Sequence, residues 1–197
     1  QSHSDTSQEP IGPGSDETKN RVHGGTTGTT TLIPEYEITL QIALNLKAHL
    51  EEAGITVVMT RETNDVNISN GERAVIANDA GAALFVRIHG DGSPNSDTSG
   101  ISVLYPAENQ WTGPISSASA DAAARVQAAL IASTGAVDRG VVPRDDITGF
   151  NWAEVPAILV ECGFMTNPVE DKLLSSPHYQ DKLATGMTSG ILDFVGR

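Results

Sequence analysis

The stretch PEYEITLQIALNLKAHLEEAGITVVMTRET, residues 34–63, holds a complete helix-to-strand unit and decides the fold class. Ile38, Ile42, Leu46 and Leu50 recur at i, i+4 spacing with Leu40 and Ala43 beside them, while Lys47, Glu51 and Glu52 are left for solvent. That is the stripe of an amphipathic helix burying one side. Gly54 ends it, because glycine turns a helix C-terminus without a Cβ penalty. ITVVMT, residues 55–60, is short, apolar and β-branched, as a parallel strand covered on both faces requires. Helix and strand then recur. Ser69, with Glu72 three residues on, predicts a capping box opening a helix to about Ala80. AALFVRIH (82–89) and ISVLYP (101–106) read as strands. Ser117 to Ser133 reads as a third helix, with Ala122, Val126 and Leu130 on one face and Gly135 at its end. A segment with few apolar runs, Asp138 to Glu154, leads to a last strand at Ala157 to Val160, and Pro168 and Asp171 open helical sequence to the C-terminus. This order predicts an α/β fold, a mostly parallel twisted sheet covered by helices on both faces, in a single domain of residues 1–197.

Residues 1–34 are rich in Ser, Thr, Gly and Pro and show no periodicity, which predicts a long loop. The chain carries 25 carboxylates against 12 Lys and Arg. That balance argues against a nucleic-acid partner, whose phosphates need cationic contacts. Other anionic polymers would also be repelled at a distance, so any contact with one should rest on local groove contacts. The one cysteine, Cys162, excludes an internal disulfide, and its strand neighbours make it a small buried residue rather than a nucleophile. No stretch reaches the roughly 18 to 20 apolar residues of a membrane span. No basic-then-apolar signal segment stands at the start, so an exported form is expected to have its signal outside this sequence.

In covered parallel sheets, ligands gather beyond the carboxyl ends of the strands. His89 closes VRIH and Glu161 closes ILVE, so both side chains can face one cleft. Glu35 stands where the N-terminal segment meets the first helix, a place the helix dipole also favours for any acid. Each residue alone reads equally as a satisfied polar group. Together they supply what a zinc hydrolase needs: nitrogen and oxygen ligands, and a separate carboxylate to take a proton from water. Glu37 is the rival to Glu35. Arg61 and Arg87 can orient substrate carboxylates, Asp91 can contact substrate or steer His89, and Trp152 can stack near the cleft or pack on the sheet.

Four blocks carry a resemblance: residues 34–63, GERAVIAN (71–78), FVRIHGDG (85–92) and VPAILVECGFMTNPVED (155–171). In order and spacing they resemble the zinc-dependent N-acetylmuramoyl-L-alanine amidases, which cut the bond between the sugar strands and peptide stems of bacterial peptidoglycan. The resemblance implies Zn2+ as cofactor, Glu35 and His89 as ligands, and Glu161 as the general base. Glu35 is preferred to Glu37 because the family's glutamate precedes the helix's first apolar residue by three positions, matching Ile38. It further implies a monomeric, secreted, autolysin-type enzyme acting on muramoyl-peptides in the wall or a periplasm-like space. One departure stands at the start: the family usually opens with a buried strand running into Asp-Pro-Gly-His, whose His is a zinc ligand, and Gln1 falls just past that point. His3 and His23 are the candidates to replace it. A metal-depleted wall-binding protein and a zinc peptidase acting on stem peptides are the alternative readings.

Overall fold

The computed structural model describes residues 1–22 and 24–197. Where the sequence predicts a loop, the chain forms an antiparallel hairpin, β1 (Asp5–Pro10) and β2 (Thr18–Val22). Its strands, DTSQEP and TKNRV, have no apolar alternation to betray them. Contacts with the rest of the molecule hold it instead. The indoles of Trp152 and Trp111 donate to Pro10 O and Pro13 O, both at 2.9 Å, and Lys19 Nζ donates to Asp146 O at 2.7 Å. The carboxylate of Glu9 accepts from the backbone of Asn70 and Gly71.

Helix α1 (Glu35–Glu52) buries Ile38, Ile42, Leu46 and Leu50, the stripe read from the sequence. Helix α2 (Asn70–Asp79) opens on the Ser69 capping box. Strand β3 (Phe85–Asp91), strand β4 (Ile101–Pro106), helix α3 (Gly113–Thr134), strand β5 (Asp138–Arg144) and the short α4 (Thr148–Asn151) follow. Strand β6 (Ala157–Phe164), α5 (Pro168–Leu174) and α6 (Pro177–Val195) complete the order. The segment expected to be featureless, Asp138 to Glu154, thus contains β5 and α4; β5, at DRGVVPR, is an edge strand with half its residues exposed, so it lacks the apolar run of a covered strand.

The sheet order is β3-β6-β4-β5. β3 runs parallel to β6 and β4 parallel to β5, but β4 pairs with β6 antiparallel, so the sheet is mixed. Helices cover both faces. On one, α1, α3 and α6 enclose Val103, Ile158, Val160 and Leu183; on the other, α2 and α4 enclose Phe85, Leu159 and Phe150. Truncating a fully buried leucine such as Leu130 or Leu183 to alanine costs about 2–5 kcal/mol in such cores. Helices α3 and α6 approach closely because Gly190 carries no Cβ: one would lie 2.5 Å from Val126 Cα.

The expected strand at Ile55–Thr60 is not laddered into the sheet. Its chain is irregular, and Ile55 N to Leu50 O, 2.9 Å, is its single backbone hydrogen bond among the described residues. Ile55 and Val57 nevertheless pack on the core, as do Leu84, Val86 and Ile88. Between the two lies a groove of about 820 Å3, running from His89 and Glu161 to Gly81 and Val195. β-branched propensity is satisfied only if a neighbouring strand supplies the ladder, and none of the described residues pairs with this segment.

Candidate active site

The groove's end at the carboxyl termini of β3 and β6 gathers the residues singled out by sequence. In the parallel register His89 is the partner of Glu161, so adjacent strands present the two side by side. Glu35, at the first position of α1, reaches across: its Oε1 lies 2.8 Å from His89 Nδ1. The loop before α1 builds the cradle. Thr26 N donates to Glu35 Oε2 at 3.0 Å, Glu35 N donates to Thr26 O at 2.8 Å, and Gly90 N donates to Oε1 at 3.3 Å. Gly25 must be glycine here, because a Cβ would press on Glu35 Oε2.

Burial alone would push the Glu35 carboxyl up, but the His89 hydrogen bond and charge, with the Thr26 and Gly90 amides, hold it below its ordinary range. It is therefore an ionised carboxylate in contact with an imidazole whose side chain is 38% exposed. Glu161 lies at the opposite extreme. Burial chiefly, then the charges of Asp91 and Glu35, push its pKa up to about 8, against the counter-pull of Arg87 and Arg144. Its Oε2 is sealed from solvent without a hydrogen-bond partner. Neighbouring carboxyls driven apart in this way, one ionised and one retaining a proton, are the usual signature of divided acid-base roles.

Glu35 Oε1 and His89 Nδ1 are the pair of donors a metal could take, and an imidazole with a carboxylate suits zinc. Among the described residues no group of three or more His, Cys, Asp or Glu side chains is gathered for a metal. His3 does not replace the expected third ligand: its ring bonds Asp65 Oδ1 at 2.8 Å on the exposed surface. His23 lies outside the described residues. Glu37, the rival to Glu35, does not line the groove.

Arg61 is engaged with Asn64 Oδ1 at 2.6 Å and Tyr36 O at 2.8 Å, and Arg87 with Asn70 Oδ1 at 2.6 Å against Gly149. Asp91 follows a β-bulge, accepts from Gly92 N through Oδ1 at 2.7 Å, and lies near enough for its charge to raise Glu161. Trp152 anchors the hairpin. Cys162 is buried, and burial pushes its thiol far above the usual range, so it is inert. Sequence reading missed Asp171, which it took only as a helix opener. Its carboxylate, fully buried, accepts from Thr30 N, Thr31 N and Thr31 Oγ1 at 2.6–2.8 Å and so fixes the loop that leads to Glu35. The GGTTGTTT run held a signal for this: hydroxyl and glycine residues that offer backbone amides to an anion.

The fold and this end of the sheet define a hydrolase class: an α/β domain with an acid-base carboxyl and a carboxylate-imidazole pair at the carboxyl ends of neighbouring strands. Residues 11–193 match the N-acetylmuramoyl-L-alanine amidase family, and the chain belongs to it. It is 32% identical over 193 residues to an N-acetylmuramoyl-L-alanine amidase of Mycobacterium tuberculosis, covering 95% of this chain and 78% of that one. To the germination-specific amidase of Bacillus subtilis it is 28% identical, covering 87% and 76%. Among solved structures, the amidase of Mycobacterium smegmatis superposes with a TM-score of 0.88 at 34% identity, covering 100% of this chain and 91% of that one. That of Clostridium difficile does so at 0.79 and 32%, covering 88% and 90%.

Proposed function

We propose that the chain hydrolyses the amide between N-acetylmuramic acid and L-alanine of peptidoglycan with the help of zinc, in the wall or a periplasm-like space outside the cytoplasm. The observation that carries this reading is the meeting of the Glu35–His89 pair with the sealed carboxyl of Glu161 on the neighbouring strand. Glu35 and His89 would hold the metal. Zinc, when bound, supplies a Lewis acid for the amide carbonyl and lowers the pKa of water at its open position towards about 7.

The residues of the chain do the rest. Glu161, which a cation held at Glu35 and His89 would shift to its ionised form, would accept the proton of the attacking water and pass it to the leaving nitrogen of L-alanine. Thr26, Gly90 and the Asp171-anchored loop keep Glu35 ionised and aimed at His89, a supporting shell of the kind that fixes metal ligands. Arg61 and Arg87, which line the groove, would orient substrate carboxylates, and Asp91 would contact substrate or steer His89. The hairpin β1–β2 walls the cleft with Lys19 and Arg21. The chain acts as a monomer.

The test is digestion of purified peptidoglycan by the zinc-supplemented chain, with new amino termini identified by labelling. New L-alanine termini support the reading; new termini further along the stem would make the chain a peptidase instead. One observation favours a second reading, a metal-depleted wall-binding protein: no third ligand joins Glu35 and His89 among the described residues. Zinc per chain after dialysis against a weak chelator separates the two. About one ion per chain supports the enzyme, and near zero, with peptidoglycan still bound, the second reading.

A further inference from the structure

The cavity at the active site has a second arm, on the face of the sheet under α2 and α4. Leu159 of β6, Leu104 of β4 and Val142 of β5 are register partners across three neighbouring strands, and all pack on the core of that face. Side chains two residues apart on a strand share a face, so Glu161 and Arg144 extend this row. Because β6 runs antiparallel to β4 and β4 parallel to β5, they extend it in opposite directions. The row therefore has a carboxyl at one end, a guanidinium at the other and leucines as the floor between. Glu161, Leu159, Leu104 and Arg144 line one cavity. Two strand spacings and the rise along the strands put the Cα atoms of Glu161 and Arg144 about 16 Å apart. Extended side chains reaching inward leave roughly 6–8 Å between their heads, the length of about two peptide residues.

Arg144 is pinned along one edge and open along the other. Its Nε and Nη2 donate to Asp146 Oδ1 and Oδ2 at 2.7 and 2.8 Å. Lys19 Nζ, from the hairpin, donates to Asp146 O at 2.7 Å. Nη1 of Arg144 has no partner among the described residues and is not sealed from solvent, in a side chain that is 42% exposed. Surface Arg–Asp pairs are common and contribute little to stability. This one is set apart by its place in the same cavity as the proposed general base, and by its reach, since the Arg144 charge pulls against the burial that raises Glu161. The arm is also cationic in a chain of net charge −13: Lys19, Arg21 and Arg144 line it against Asp146. Arg21 is matched by Asp5 and Glu72, whereas Lys19 bonds a neutral carbonyl and Arg144 keeps its open edge.

We propose that Arg144, with Lys19 beside it, determines which peptide stems the chain accepts: the open Nη1 edge receives a free carboxylate on the second stem residue, one residue beyond the L-alanine whose nitrogen meets Glu161. The assignment rests on the hydrolytic reading for which bond lies at Glu161. Arg144 stands on the β5 side of that residue, opposite Arg87 on β3. The leucine floor suits the methyl and methylene groups of an alanyl-glutamate pair. A carboxylate offers the guanidinium acceptors only, whereas the amide of the same residue turns an NH2 group towards its donors. Stems that carry the free acid are therefore preferred to stems in which it is amidated.

The test is an NMR titration of the chelator-treated chain with N-acetylmuramoyl-L-alanyl-D-glutamate and with its D-isoglutamine counterpart, so binding is read without turnover. The acid should bind about five- to tenfold more tightly, the scale of a charge-assisted contact discounted for partial exposure. Arg144→Gln, checked for folding by circular dichroism, should bring the acid-to-amide ratio near one. Arg144→Lys, which keeps the charge but not the fork, should retain part of the preference. A purely structural role for Arg144 would lower both affinities and leave their ratio unchanged. Equal binding of the two compounds by wild type, binding of neither, or a ratio that survives Arg144→Gln overturns the proposal. Digestion of both compounds by the zinc-supplemented chain keeps the two readings apart. Preferential binding of the acid with no L-alanine terminus released supports the assignment and sinks the hydrolytic reading. Equal binding with both compounds cleaved sinks the assignment and leaves hydrolysis standing.

Discussion

Replacing Glu161 with Gln should make the metal-free chain less sensitive to alkaline pH while abolishing turnover. The folded carboxyl has a pKa of about 8, against 4.5 when unperturbed. Between those values the unfolded chain has released a proton that the folded chain still holds, so stability falls as pH rises. The effect is absent below about pH 4.5, where both states are protonated, and is complete above about pH 8, where both are ionised. Across that interval of roughly 3.5 units, at about 1.4 kcal/mol each, the loss is about 5 kcal/mol. This is comparable with the whole stability of a small domain, about 5–15 kcal/mol. A glutamine side chain at this position cannot ionise and avoids the loss. The assay is urea unfolding of chelator-treated wild type and variant between pH 5 and 9, where subtraction cancels every other titrating group. The variant should gain on wild type by several kcal/mol over that range. Parallel curves for the two proteins would refute the buried, proton-retaining state of Glu161. Zinc should shrink the difference, because a nearby cation favours the ionised carboxylate, and activity of the variant should fall by about 10²–10⁴.

His89→Ala should lower bound zinc well below that of wild type in elemental mass spectrometry, with secondary structure retained, because the lost ligand is half-exposed and at a sheet edge. Asp171→Asn removes the anion from three donors in a fully buried place; it should cost about 2–3 kcal/mol in urea melts and weaken zinc retention by releasing the loop before Glu35. Ser69→Ala deletes the α2 capping box and should cost about 1 kcal/mol by the same melts, with kcat little changed. Gly190→Val forces a side chain into the α3 backbone and should cost about 1–3 kcal/mol or more, read as a lower midpoint.

What the sequence declared, it declared through burial. The stripe Ile38, Ile42, Leu46 and Leu50 faces the core as read, the Ser69–Glu72 box caps α2, and Ala157–Val160 forms the first half of β6. His89 and Glu161 meet because each stands towards the end of its strand and the two strands are parallel neighbours, a consequence of fold class that needs no further information. The hairpin, β5 and Asp171 were silent because polar strands and a buried anion are stabilised by partners distant in sequence, such as Trp152 for Pro10 and Thr31 for Asp171.

Ile55–Thr60 exposes a different limit. Its composition specifies a buried strand, and its alternate residues Ile55 and Val57 do reach the core, yet no ladder forms. Strand propensity is a statement about side chains that fit a pleated, covered surface, whereas a strand as such is a property of two neighbours. The same holds on the other side of the groove, where β3 carries the site's imidazole and, among the described residues, pairs with β6 alone.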